Sequence, residues 1–440
     1  MIEPTWQRTL RRVQQVVRGA LVTGLLVGTT LAFAEKPADT LIVWAGDKAH
    51  EAPDFIAVID FDRDSPSYGK ILRTVPLPVT RLGAGTVGNE PHHVGISHDG
   101  QTLALGGLLS ILRGQDQVFF FDVTTPRRPK FLRSDNPPES SIADEFAALS
   151  TGGFLATFMG GPNGAQPGRV VEYDANRNFV NAWPTSLPTD GFNPHGIALD
   201  EAHNLMVTSD FICPLLTLHV HDGDKAHLRG SIRVWDLAQR TITRTIVVGD
   251  PDNPAGTIDV KLIPGDTQQR AFTAGMADNQ LYLVDTQQGT ATAVFDFGVY
   301  ALPLVPSAPV WPQLLRINKA GTRLFITLNY AGQAGKVVML DITDPVHPVE
   351  LDVADLGLNS GPHYLRLTPD EQRLVVSDYF LVEDLAPGGV VNAEGDLKIH
   401  VLNVFSEHLE REPQFKLDFS HDISTGPARP HGLAIFPAGD

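Results

Sequence analysis

The sequence predicts an all-β chain folded as a seven-bladed β-propeller and closed by its C-terminal strand. Three observations point there. An apolar, β-rich run ending in Asp or Asn recurs seven times. Each copy is preceded by two short strands joined at a polar turn, and most are followed by one more, which makes four antiparallel strands per repeat. The segment Pro430-His431-Gly432-Leu433-Ala434-Ile435-Phe436 reads as an innermost strand with no blade after it.

The first 34 residues stand apart from the repeats. Arg8, Arg11, Arg12 and Arg18 precede the apolar run Ala20 to Phe33, which ends in Ala32-Phe33-Ala34, a small-residue cleavage pattern. The run is too short and wrongly flanked for a stable membrane span, so residues 1–34 are expected to be a secretory signal peptide. Val13-Gln14-Gln15 after the arginine pair favours general secretion over the twin-arginine route. The mature protein is expected in the periplasm, without membrane attachment after cleavage.

Residues 35–440 show no linker, charge block or low-complexity stretch and are expected to form one domain. The strand copies end at Asp60, Asp122, Asp174, Asp236, Asp285, Asp341 and Asn403, spaced by 62, 52, 62, 49, 56 and 62 residues. These intervals exceed the roughly 40–45 residues of a minimal blade, which implies inserted loops, chiefly at 212–229 and 381–396. The C-terminal strand should pair with the strand around Leu41 to Ala45, because a ring of sheets must hide its end edges.

Composition narrows the function. With 42% hydrophobic residues the 440-residue chain can bury a large core, and its single cysteine excludes a disulfide scaffold. A net charge of −17, scattered along the chain, repels phosphate backbones and argues against a nucleic-acid partner. No G-x-S-x-G, H-E-x-x-H, Walker or dinucleotide motif supports a hydrolase or nucleotide enzyme.

Histidines recur at one place in the repeat. Pro91-His92-His93, Pro194-His195, Pro362-His363 and Pro430-His431 each begin an innermost strand, in blades 2, 4, 7 and 1. Blade 6 has Pro312-Gln313 there, and blades 3 and 5 lose the pattern. Innermost strands line the axial channel, so these imidazoles should converge at one mouth. A ring of imidazoles without thiolate suits copper or Fe(II). Side chains alternate along a strand, so His93 should face away from His92 unless a bulge turns both inward. A histidine copied for structural reasons would appear in most blades; these occupy a subset that still encircles the axis. His219, His221 and His227 read as part of a solvated loop covering the mouth, Cys213 as a small core residue, and His98, His203 and His421 as turn residues.

The residues also carry a family resemblance. Glu51-Ala52-Pro53-Asp54, Ser65-Pro66-Ser67-Tyr68, His92-His93-x-Gly95, Val234-Trp235-Asp236, Leu340-Asp341-Ile342-Thr343-Asp344-Pro345 and His431 resemble the selenium-binding protein / methanethiol oxidase family across nearly the whole mature chain. The resemblance implies a secreted copper enzyme that oxidises a small thiol, methanethiol, with O2 and water to formaldehyde, hydrogen sulfide and hydrogen peroxide; iron is the alternative metal that the histidine ring leaves open. His92, His93 and His431 fall on family histidines; His195 and His363 are added from the repeat. Trp44-Ala45-Gly46-Asp47 stands where the family has a cysteine linked to selenium, so that property does not carry over. Two other readings compete: a non-catalytic propeller platform for a protein partner, and a four-histidine Fe(II) oxygenase with an apolar tunnel and carboxylates behind the ligands.

Overall fold

The computed structural model describes residues 38–78, 86–214, 228–301, 310–329, 334–378 and 395–437, with the backbone of 381–383 and 390–392. The expected signal peptide and the loop histidines His219, His221 and His227 lie outside the described residues.

The seven strand copies ending at Asp60 to Asn403 each form the third strand of an antiparallel blade, four-stranded in six blades and joined in the seventh by a fifth strand, Leu417–Asp418. Their β-branched and aromatic residues pack on both faces, since a blade is covered by a neighbour on each side. The closing Asp then organises the turn into the outer strand. Asp122 accepts from the Thr124 amide and hydroxyl, Asp285 from the Gln287 and Gln288 amides, and Asp341 from the Thr343 amide. The repeated Asp is thus a turn residue, explicable without a ligand.

Blades 2 to 6 run in chain order from an innermost to an outermost strand: Pro91–Ile96 to Lys130–Asp135, Ser141–Ala148 to Phe179–Trp183, Pro194–Asp200 to Thr241–Val247, Thr257–Leu262 to Thr290–Asp296, and Pro312–Ile317 to Val349–Leu358. Blade 7 runs from Pro362–Leu367 through Arg373–Asp378 and Lys398–Val404 to Leu409–Arg411. Blade 1 is composite. Its outer three strands are Ile71–Pro76, Phe55–Asp60 and Ala38–Asp47, and its innermost strand is Ala428–Pro437. The register runs antiparallel from Ala38 against Pro437 to Asp47 against Ala428, which closes the ring as the sequence predicts.

The seam between blades 7 and 1 is fastened by Arg373. Its guanidinium donates to the Phe61 and Ala38 carbonyls, each at 3.1 Å, and lies 3.9 Å from the Phe61 ring centroid. On the other side of blade 1, the Trp44 indole donates to the Gly106 carbonyl of blade 2 at 2.8 Å. No helix among the described residues is long and apolar enough to cross a membrane.

Candidate metal centre

Each of the seven innermost strands slips register by one residue against its neighbour, at Pro91/Val94, Ala143/Phe146, Pro194/Ile197, Thr257/Val260, Pro312/Leu315, Pro362/Leu365 and opposite Val43/Ala45. The slip is a β-bulge, which breaks the alternation of side chains and leaves a carbonyl without its ladder partner. Several of those carbonyls take a hydroxyl from the blade before: Thr157 donates to His195, Ser209 to Ile258, Thr327 to His363 and Ser377 to His431. The bulge is therefore held from outside its own sheet.

Its consequence is visible in blade 2. His92 and His93 stack on each other, with ring centroids 4.2 Å apart and planes 13° from parallel, and both join the axial cluster. The alternation expected of a regular strand does not apply there.

When the strands are aligned on the bulge, its first residue is His431, His92, Asp144, His195, Ile258, Gln313 and His363 in blades 1 to 7. Ligand nitrogens of His92, His93, His363 and His431 all lie within 4.8 Å of one another. His195 stands to one side, in a second group with His92 and Asp144 that meets the same limit. The Asp144 carboxylate lies 2.8 Å from His93 Nδ1, 3.1 Å from His195 Nε2 and 3.5 Å from His92 Nε2. All five predicted histidines thus reach one region, divided into a set of four and an outlier.

Sequence reading missed Asp144. It lies in blade 3, where the Pro-His pattern fails and the bulge begins at Ala143 rather than at the first strand residue, Ser141. Only alignment on the bulge brings it into register with the histidines. Cys213 is buried, in keeping with the core role expected of it.

Burial decides the charge state of the site. His92, His93, His363 and His431 are all held well below the ordinary imidazole pKa, by desolvation first and by neighbouring imidazoles second. Desolvation also pushes His195 down to about 3, and pushes Asp144 up, with Glu145 and Asp259 adding to the rise. Neutral imidazoles are what a metal ion needs, since the lone pair is the ligand.

The donor arrangement fits an ion. His363 Nδ1 lies 2.9 Å from Gln313 Oε1, so that ring has a proton acceptor behind it, whereas His93 Nδ1 and both Asp144 oxygens are buried without a hydrogen-bond partner among the described residues. With that proton placed, the His363 Nε2 lone pair faces His93 Nε2 at 3.2 Å. Two nitrogens bonded at about 2.0–2.1 Å to one ion in a near-tetrahedral arrangement sit at about that separation.

The Glu51-Ala52-Pro53-Asp54 segment acts on this centre indirectly. Asp54 accepts from the Asp47 amide at 3.1 Å and from the Asn89 amide and side chain at 2.7 and 2.9 Å, fixing the approach to Pro91-His92-His93. Its carboxyl, buried, is raised to about 6 by desolvation.

A further group, Asp378, Asp396 and His400, lies in blade 7. His400 Nε2 is 3.2 Å from Asp396, whose amide donates to Asp378 at 2.7 Å, so these side chains serve one another and the turn before Lys398–Val404.

A family model described as 56kDa selenium binding protein (SBP56) matches residues 30–440. A methanethiol oxidase of Xenopus laevis is 24% identical over 213 residues, which take in 45% of this chain and 43% of that protein, so that alignment spans less than half of either. The Bos taurus methanethiol oxidase is 24% identical over 457 residues, covering 89% of this chain and 90% of that one. Among solved structures, a hypothetical selenium-binding protein from Sulfolobus tokodaii superposes with a TM-score of 0.71 at 18% identity, covering 91% of this chain and 94% of that one. That likeness is one of fold.

Proposed function

The chain belongs to the 56kDa selenium-binding protein family, and from that premise we propose that it is a copper-dependent thiol oxidase of the methanethiol oxidase type. The reaction consumes methanethiol, O2 and water and yields formaldehyde, hydrogen sulfide and hydrogen peroxide. The observation that carries the reading is the buried set of four neutral histidines whose ligand nitrogens lie within 4.8 Å of one another. A non-catalytic platform has no use for four desolvated imidazoles facing one point.

A copper ion held by His92, His93, His363 and His431 would supply a Lewis acid toward a thiol and a one-electron couple toward O2. The protein's own part is preparation. Gln313 orients His363 through its Nδ1, which fixes which nitrogen of that ring faces inward, and Asp144 sets a buried carboxyl beside His93, His195 and His92. Burial excludes bulk water and keeps the imidazoles unprotonated at neutral pH.

The four-histidine Fe(II) oxygenase is the second reading, favoured by the Asp144 carboxylate directly behind His93. The Lys261, Arg316, Glu145 and Asp259 side chains farther along the channel weigh against the apolar tunnel that such an enzyme would use. Export to the periplasm through residues 1–34 belongs to the same proposal.

Protein purified from periplasm without chelator should contain copper and release sulfide and peroxide from methanethiol under air. Its N-terminus should lie at or near Glu35. Iron in place of copper would favour the oxygenase. A metal-free protein that leaves methanethiol untouched would leave the platform as the surviving reading.

A further inference from the structure

The third residue after each bulge's first residue defines a second level of the channel. In blades 5, 6 and 7 it is Lys261, Arg316 and Arg366. In the other four blades it is Gly95, Ala147, Ala198 or Ala434, so half of the ring offers no long side chain at this level.

The charges there do not balance locally. Glu145 and Asp259 are the carboxylates at this level, and Lys261 engages both: its Nζ lies 2.7 and 3.0 Å from the Glu145 oxygens and 2.7 Å from Asp259. Arg316 keeps only a 3.9 Å approach to Glu145 and donates its Nε to the Leu365 carbonyl at 2.9 Å. Arg366 donates Nη1 to the Leu433 carbonyl at 3.3 Å, and no carboxylate among the described residues comes within ion-pair distance of it. Two neighbouring guanidiniums therefore share this level with two carboxylates that Lys261 already engages. Desolvation is the main cause disfavouring the charged form of Arg366 and the charge of Arg316 adds to it, while Tyr364 and Glu145 favour the charge.

We propose that Arg366, with Arg316 beside it, binds one small oxyanion in the axial channel. The guanidinium fork matches a carboxylate or a tetrahedral oxyanion through paired hydrogen bonds. The site is small. The Tyr364 side chain of blade 7 reaches across to the Val94 carbonyl of blade 2 at 3.1 Å, so one side chain spans the adjacent level. The inference does not depend on the identity of the metal or on the reaction at the histidines.

The test is thermal unfolding of the full protein in sodium formate and in sodium sulfate, against sodium chloride at matched ionic strength. A saturable rise in Tm beyond the chloride baseline is expected for at least one probe. A response to formate identifies a carboxylate ligand, and a response to sulfate an inorganic oxyanion. Arg366→Gln should weaken the response about tenfold or more, with Arg366→Lys between the two. Neither probe exceeding chloride, or an undiminished response in Arg366→Gln, would overturn the proposal. Should Arg366→Gln fail to fold, selenate soaked into wild-type crystals decides: an anomalous peak against the Arg366 guanidinium supports the site, and its absence there refutes it.

Discussion

The two levels of the axial channel share strands and backbone geometry and differ in everything else. At the bulge, four blades supply imidazoles that burial keeps neutral, with one carboxyl among them. A few residues farther along, three blades supply fixed cations, of which Lys261 and Arg316 meet carboxylates. Seven equivalent positions per level are a scaffold on which chemistry is chosen blade by blade, which is how one fold hosts unrelated sites. Blade 7 contributes to both levels, through His363 and Arg366. Blade 3 contributes acids alone, Asp144 and Glu145, one to each level.

If the levels are functionally separate, changes in one should leave the other intact. The largest effect is expected from His92→Ala combined with His431→Ala, which removes half of the four-histidine set. Bound metal and thiol oxidation should both fall to background while circular dichroism stays that of the parent, as measured by elemental analysis and sulfide release.

Lys261→Met should act on the other level. It leaves Glu145 and Asp259 without the ammonium that holds both, and breaking a buried pair in this way costs about 3–5 kcal/mol. Denaturant unfolding should show that loss, with metal content per folded chain unchanged; a protein that lost its metal instead would join the two levels into one site.

Asp144→Asn tests the carboxyl at the upper level. Loss of the carboxyl beside the ligating imidazoles should weaken metal affinity about 10–100-fold. Stability should hardly suffer, since burial already disfavours the ionised form. Competition with a chelator measures the first, and the unfolding midpoint the second.

The smallest effect is expected at His195, which stands outside the set of four. His195→Gln should lower metal affinity less than about tenfold, whereas His363→Gln should cost far more. Equal losses from the two variants would make the centre one of five histidines.

The propeller was legible because its repeat is written in side chains that any blade needs: β-branched and aromatic residues on a strand buried on both faces, then an Asp that turns the chain. The Pro-His steps were legible for the same reason of repetition. The bulge was not, because an extra residue in a strand is a property of pairing between two segments and leaves no residue type of its own. Hence the orientation of His93 stayed open, and Asp144 escaped notice in a blade whose bulge lies farther from the strand start. Lys261, Arg316 and Arg366 escaped as well. Without the bulge as a common origin, three basic residues in three strands share no visible position.

The clasp has a consequence for how the protein is made. His431 lies on the strand that closes the ring, whereas His92, His93 and His363 come from blades built of contiguous chain. The four-nitrogen set is therefore complete only after the two ends of the propeller have met, a contact of the highest sequence separation and among the slowest to form. A folding intermediate with blades 2 to 7 finished and blade 1 still open would hold three of the four imidazoles. Metal capture by all four is then a timer that reads out ring closure, and any ion bound there resists reopening of the ring by mass action.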